Sequence, residues 1–459
     1  MTAHRHSFLP VLAAVFAVLI AYLWIGTRSG TAPLYAMLDY HYYPLLADGF
    51  LAGQLSLPVE PKPELLQLPD PYDPDQNQPY RMHDLSLYHG KYYLFSGPAP
   101  ALLAFVPWKA LTGQPLPQYL AVLLFCSVHF LTLTVLLCLI IARVAPATPS
   151  WFVALGVLAL GFGTGNPHLL RWPSVYQVAS AFNACLVALA LLGLYFALVS
   201  RRYPLFFLFL AVLCLALSVG SRLHFALVAL VVPLVALLGC PESRNGPPSI
   251  LRRLRHAALL LLPLGVVLIG LALYNQARFD TPFETGVRYQ LGGFNLLHAH
   301  FWQVQNAFAN FTYYLFQKIP FTTEFPYHEI RTRFFLRGTS FYQQECLYGL
   351  ITGMPVCVSL LSLPAFWTRI ERPLRRFLGV TLLAGGLNFA FLLGFTSATV
   401  RYFSDFLTPL LLVAATLLVI ADLQFAKDRS WMRVAFRTVV IAAVLYTVAI
   451  QILLNFPSH

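Results

Sequence analysis

Apolar runs of about 17–25 residues recur along this chain, each of the length an α-helix needs to cross roughly 30 Å of hydrocarbon. They fall near 8–26, 118–142, 150–166, 175–199, 204–220, 222–239, 257–275, 347–367, 376–396, 401–421 and 434–455. The runs are continuously apolar and do not alternate, so they predict helices and not the strands of a barrel. Only 10% of the 459 residues are charged and 58% are hydrophobic, a balance foreign to soluble domains of this size. The expected fold class is an all-α polytopic membrane protein of about eleven transmembrane helices. It forms one membrane-embedded domain over 1–459, with two large outer loops, 27–117 and 276–346, bearing short interfacial helices.

One further apolar piece, Pro98 to Lys109, contains Pro98, Pro100 and Pro107. Its run would make a helix of only about 22 Å, so it reads as an interfacial or re-entrant segment. The basic residues agree with that choice. With the amino terminus inside, the inner connections receive Arg143, Arg201, Arg202, Arg252, Arg253, Arg255, Arg369, Arg372, Arg433 and Arg437, whereas the short outer ones receive only Arg171, Arg222 and Arg401. This is a positive-inside pattern. It explains the net charge of +12 by topology and gives no reason to invoke nucleic acid. The first span, with no small-residue cleavage site after it, reads as an anchor and not a signal peptide. The seven cysteines lie in spans or at span ends in no metal-binding spacing, and read as small packing residues.

The two outer loops collect the ionisable and aromatic groups. Asp39 is flanked by Tyr40, His41, Tyr42 and Tyr43, just before a short helix expected over 44–54, with Pro44 at its start and Gly53 at its end. A carboxylate held at the bilayer surface among aromatic rings is partly desolvated, which moves its pKa toward the range useful in a base. Asp48 fits the polar face of that helix. Asp73, Asp75 and Asn77, with Asp84 further on, have a faintly calcium-like spacing, but Gln78 replaces the central glycine, so a proline-rich capped turn is the better reading. His83-Asp84 offers a second carboxylate in the same loop, able to assist Asp39, bind acceptor hydroxyls or form a hairpin ion pair. Arg171, Arg222 and Arg401, near outer span ends, could hold a lipid-linked phosphate or snorkel to headgroups. Arg401 and Asp405 stand one helical turn apart and could neutralise each other. Gly161 to Gly165 has no strand before it and reads as helix packing; no phosphate-binding glycine loop or zinc-protease histidine pair is present.

The chain resembles the membrane glycosyltransferases of the GT-C superfamily, such as protein mannosyltransferases and the aminoarabinose transferases that act on lipid A. The residues that carry this are a first span followed by Leu38-Asp-Tyr-His-Tyr-Tyr and the short helix, then Tyr72-Asp-Pro, His83-Asp84, Gly90-Lys-Tyr-Tyr, Gly97-Pro98, Arg278-Phe and Arg401-Tyr402 with Asp405. The resemblance implies a polyprenyl-phosphate-linked sugar as donor and a glycan, lipid or protein acceptor, in a bacterial cytoplasmic membrane. It implies Asp39 as inverting base, although Tyr40 stands where that family often has a second acid. Asp84 is then the chosen helper, with Arg171, Arg222, Arg401, His83 and Tyr43 as substrate-binding residues, and a divalent cation as a possible cofactor. A lipid-linked glycan flippase or transporter, and a polysaccharide polymerase or ligase, are the competing readings.

Overall fold

Leu, Ala, Val, Ile and Phe fill the long runs, and in hydrocarbon their backbone groups can satisfy only one another, which enforces helix. The computed structural model describes residues 8–27, 42–200, 203–239, 250–329, 333–337, 340–345, 347–428 and 430–456. Its principal helices are α1 (Leu9–Gly26), α2 (Tyr42–Leu51), α3 (Gln118–Val144), α4 (Ser150–Gly163), α5 (Val175–Tyr195), α6 (Pro204–Val219), α7 (Ala226–Gly239), α8 (Ile250–Phe279), α9 (Arg372–Leu393), α10 (Phe403–Asp428) and α11 (Ser430–Leu453). Seven of these, α1, α3, α5, α8, α9, α10 and α11, are long and apolar enough to cross a membrane.

The remaining four expected spans are shorter. The 16 residues of α6 reach about 24 Å, less than the hydrocarbon thickness, and α4 and α7 have 14 residues each. The segment 347–367 is not one helix. It is helical at Leu350–Gly353, 3₁₀ over Pro355–Ser362, and α-helical again at Leu363–Trp367. Met354 breaks it because a residue before proline is pushed out of the α region, and its backbone lies at φ −144°, ψ 65°. The proline-rich piece 98–109 is helical over Ala101–Thr112, too short to cross, and ends at Gly113 with φ +71°.

Helix α10 is the centre of the bundle. It packs against α3, α4, α5, α9 and α11, and 83% of its apolar window is buried, against 17% for α8. Leu259, Leu262, Val266, Ile269 and Leu273 of α8 are exposed, the outward apolar face that lipid would cover. Gly161 lets α4 approach α1: a Cβ there would lie 2.6 Å from the Val18 side chain. At that crossing the Tyr22 hydroxyl donates to the Gly161 carbonyl (2.6 Å), Asn166 donates to Tyr22 (2.8 Å), and His129 Nδ1 meets Asn166 (2.9 Å).

Outside the bundle the two polar loops are joined. The hairpin β1 (Ser86–Tyr88) and β2 (Lys91–Tyr93) lies beside the second loop. Ser86 bridges Gln290, the Asp84 amide donates to the Leu291 carbonyl, and the Leu291 amide donates to Leu85 (both 2.8 Å). In the second loop β3 (Arg333–Arg337) pairs antiparallel with β4 (Ser340–Glu345), which pairs in parallel with β5 (Ser397–Thr399) just before α10.

Candidate active site

A cavity of about 930 Å³ lies where α5, the α6–α7 corner, the end of α8 and both polar loops meet. That volume is within the range of roughly 300–1,000 Å³ that holds one small-molecule ligand. The first loop forms one wall. Gly97 donates to Ser221 (3.3 Å) and Ala99 to Gly220 (3.1 Å), and a Cβ on Gly97 would lie 2.2 Å from the Gly220 carbonyl oxygen. Only glycine permits that approach.

Three arginines line the cavity, Arg222, Arg278 and Arg401, and no carboxylate among the described residues does. Arg222 is paired behind the wall with Asp405 (3.0 Å), which also faces His224 Nε2 at 3.3 Å. Arg222 additionally donates to Ser180 and lies over the Tyr402 ring at 5.0 Å. Arg401 is paired with Glu345 (3.1 Å), which β4 delivers through its pairing with Thr399. It lies over the Tyr176 ring at 4.2 Å. The one-turn pairing expected between Arg401 and Asp405 therefore does not form. Arg401 sits in the 3₁₀ turn Val400–Tyr402 before α10, so the two residues are not on one continuous α-helical face and each finds a partner from another element.

The sequence-predicted residues are placed differently by the structure. Arg222 and Arg401 share the cavity wall. Asp84 is next to it: Gln290 Nε2 donates to Asp84 (2.9 Å) and to the Tyr176 hydroxyl (2.7 Å), linking the carboxylate to the ring under Arg401. Asp84 has a positive φ of 65°, and its side chain is 24% exposed, 3.6 Å from the half-exposed His83 ring. Tyr43 is behind the wall, fully buried, stacked on Phe105 at 5.4 Å, with its amide donating to Gln118 (3.1 Å).

Arg171 is elsewhere. It donates to the carbonyls of Leu454 (2.6 Å) and Phe456 (3.1 Å) after α11. Asp39 lies outside the described residues. Asp48 pairs with Lys109, while Asp73 caps a helical turn by accepting from the Asp75 amide (3.0 Å), the role expected of a turn former.

Sequence reasoning did not single out Arg278, Asp405, His224, Glu345 or Tyr176 as site residues. For Asp405 the signal available was depth, since it is a charge within the apolar run 401–421 and such residues face the interior or a cavity; Arg278 falls just past the run 257–275 and carried no such signal.

No family model matches the chain, and no curated protein matches it in sequence. Among solved structures it is similar to the crystal structure of the Archaeoglobus fulgidus oligosaccharyltransferase in the apo form, with TM-score 0.50 and 11% identity over 99% of this chain and 56% of the other. It is also similar to that enzyme tethered to an acceptor peptide containing the NVT sequon (TM-score 0.46, 12% identity, 97% and 55% covered). A third is the oligosaccharyltransferase AglB from the same organism with an inhibitory peptide and a dolichol-phosphate (TM-score 0.42, 12% identity, 96% and 55% covered). The chain thus spans about half the length of these proteins, and at this identity the first likeness is one of fold. The mostly helical fold with apolar, membrane-length helices expected from the sequence is found, with seven such helices among the described residues where about eleven were expected.

Proposed function

We propose that this protein is a membrane glycosyltransferase that moves a sugar from a polyprenyl-phosphate carrier to an acceptor hydroxyl at the outer face of a bacterial cytoplasmic membrane. The observation that carries this reading is the cavity. It is mostly apolar, has guanidinium groups in its wall, and is roofed by the two acid- and tyrosine-bearing loops in a fold like that of an oligosaccharyltransferase. An apolar cavity in a helical bundle suits a carrier that the membrane supplies. Guanidinium groups stabilise a phosphate as negative charge develops on departure of the sugar.

In this mechanism Asp39, which stands in sequence between α1 and α2, takes the proton of the acceptor hydroxyl. The oxygen attacks the anomeric carbon from the face opposite the phosphate, with inversion, and the carbon–oxygen bond to the phosphate breaks. Asp84, held by Gln290, orients the acceptor or supports the base, and His83 stands at the rim. Arg222 and Arg401 shape the phosphate end of the cavity. Tyr43 supports the Gly97 wall from behind, and Arg171 acts on the carboxyl-terminal segment instead of on substrate.

The test is comparative. Surface glycolipids and glycans of a strain lacking the protein are compared with the parent by mass spectrometry, and the lost sugar names donor and acceptor. Asp39→Asn should abolish the transfer while membrane insertion stays at the parental level. Full activity in that variant would remove Asp39 as base, and identical glycan profiles with transport of a labelled lipid-linked sugar into liposomes would favour a flippase.

A further inference from the structure

Of the three arginines in the cavity wall, Arg278 alone has no carboxylate partner among the described residues. Arg222 and Arg401 each have a carboxylate at 3.0–3.1 Å, whereas among the described residues no carboxylate lies within 4 Å of Arg278. It is nonetheless 4% exposed. Its Nη1 donates to the Leu94 carbonyl (2.7 Å) and its Nη2 to Asn275 Oδ1 (2.8 Å), while Nε is buried without a partner. The Tyr274 ring stacks under the guanidinium at 3.7 Å and Phe279 flanks it at 4.6 Å. Glu284, the acid whose charge reaches this site, is committed to the Gly286 amide (2.7 Å) and to Arg288 (3.9 Å).

A desolvated charge held by neutral partners alone is costly unless something else compensates it. Two hydrogen bonds and two rings fix the plane of the fork, leaving further N–H groups of a five-donor guanidinium for a ligand. The wall of the cavity that Arg278 lines is mostly apolar and its other two arginines are already paired with carboxylates, so among the described residues the counter-charge is left to whatever occupies the cavity.

We propose that Arg278 is the residue that holds the phosphate of the carrier lipid, and that the site takes one phosphodiester charge and not a diphosphate. This rests on the glycosyl-transfer reading and gives it a donor class. A second phosphate would have to draw Arg222 from the fully buried Asp405 or Arg401 from the partly buried Glu345, leaving a carboxylate without its partner. A single planar fork, by contrast, matches two oxygens of one phosphate.

The experiment measures equilibrium binding to the full-length protein in detergent, using decaprenyl methyl phosphate (a diester of charge −1), decaprenyl diphosphate and uncharged decaprenol. Phosphatidylglycerol and inorganic phosphate serve as competitors. Wild type should bind the diester at least tenfold more tightly than decaprenol and more tightly than the diphosphate, with neither competitor displacing it at equal concentration. Arg278→Gln should erase the preference for the diester over decaprenol while leaving decaprenol affinity unchanged, which a merely distorted cavity would not do. Arg278→Lys should retain part of the preference.

An undiminished preference in Arg278→Gln overturns the assignment of Arg278, and the transfer reading then still stands on the glycan profile of the deletion strain. Equal wild-type affinity for diester and decaprenol overturns it without needing any variant to fold. A preference for the diphosphate overturns the single-phosphate claim. Displacement by phosphatidylglycerol makes this an ordinary headgroup site and sinks the carrier claim.

Discussion

Arg401 and Asp405 stand one turn apart in sequence, yet Arg401 is paired with Glu345 and Asp405 with Arg222. Spacing identifies which side chains could meet on a helix, but a 3₁₀ turn at its start and a strand arriving from 56 residues away decide which do. Depth was the more legible property: Arg222 and Arg401 were singled out from their place near outer span ends, and both line the cavity. The Asp405 carboxylate has no exposed surface, so its removal strands a guanidinium in an apolar wall. Asp405→Asn should therefore cost about 3–5 kcal/mol, read as a lower melting temperature in detergent. Adding Arg222→Met should recover part of that loss, since the pair is then replaced and not broken. A double variant whose loss relative to wild type equals the sum of the two single losses would show that the two residues do not interact.

Among elements, those specified by local chemistry were readable and those specified by tertiary contact were not. The short helix after Asp39 was legible from Pro44 and Gly53, and the structure places it at Tyr42–Leu51 with Gly53 at φ +74°. The turn at Asp73 was legible from its cap. The break at Met354 was missed because composition alone reads 347–367 as a continuous apolar run, and only the backbone preference before Pro355 divides it.

The end of α11 shows a tertiary device of the same kind. Arg171 and His328 both donate to carbonyls of the carboxyl-terminal turn, His328 Nε2 reaching Leu453 at 3.1 Å. Burial lowers the His328 pKa from its ordinary 6.5, against the opposing pull of the Leu453 carbonyl, while the nearby Arg171 charge lowers it further. The ring is thus preferentially neutral when docked. A released His328 binds its proton more readily, so the docking is fully favoured above about pH 6.5 and weakens as pH falls through the folded value. Amide protection factors for residues 451–456, corrected for intrinsic exchange, should be higher at pH 7.5 than at pH 5.5. The same protection at both pH values would remove His328 from the clamp.

At the scale of the whole molecule the charged groups sort to two ends of the bundle. Arg143 at the close of α3 meets Glu371 before α9. Arg433 and Arg437 both clamp Asp422 (2.7 and 2.6 Å), and Arg437 lies over Trp151 at 5.0 Å, so the start of α4, the α10–α11 hairpin and the start of α9 belong to two neighbouring contacts at basic ends of helices. The opposite helix ends carry Asp84, Gln290, Arg222, Arg278 and Arg401 around the cavity. Helix α4 and the turn Asn166–Arg171 run from Trp151 to the carbonyls of Leu454 and Phe456. A segment that is short as a helix therefore still runs alongside α11 from its start to the turn that follows it. The separation of basic connections from the acid- and tyrosine-bearing loops is what insertion under the positive-inside rule produces. Lys91 in β2 and Arg252 at the start of α8 are both exposed and test it directly. In intact cells Lys91→Cys should react with a membrane-impermeant maleimide, and Arg252→Cys should react only after the membrane is permeabilised. The inverse pattern would put the cavity on the cytoplasmic side, where a soluble nucleotide-linked donor could reach it, and the case for a lipid carrier would fall with the topology.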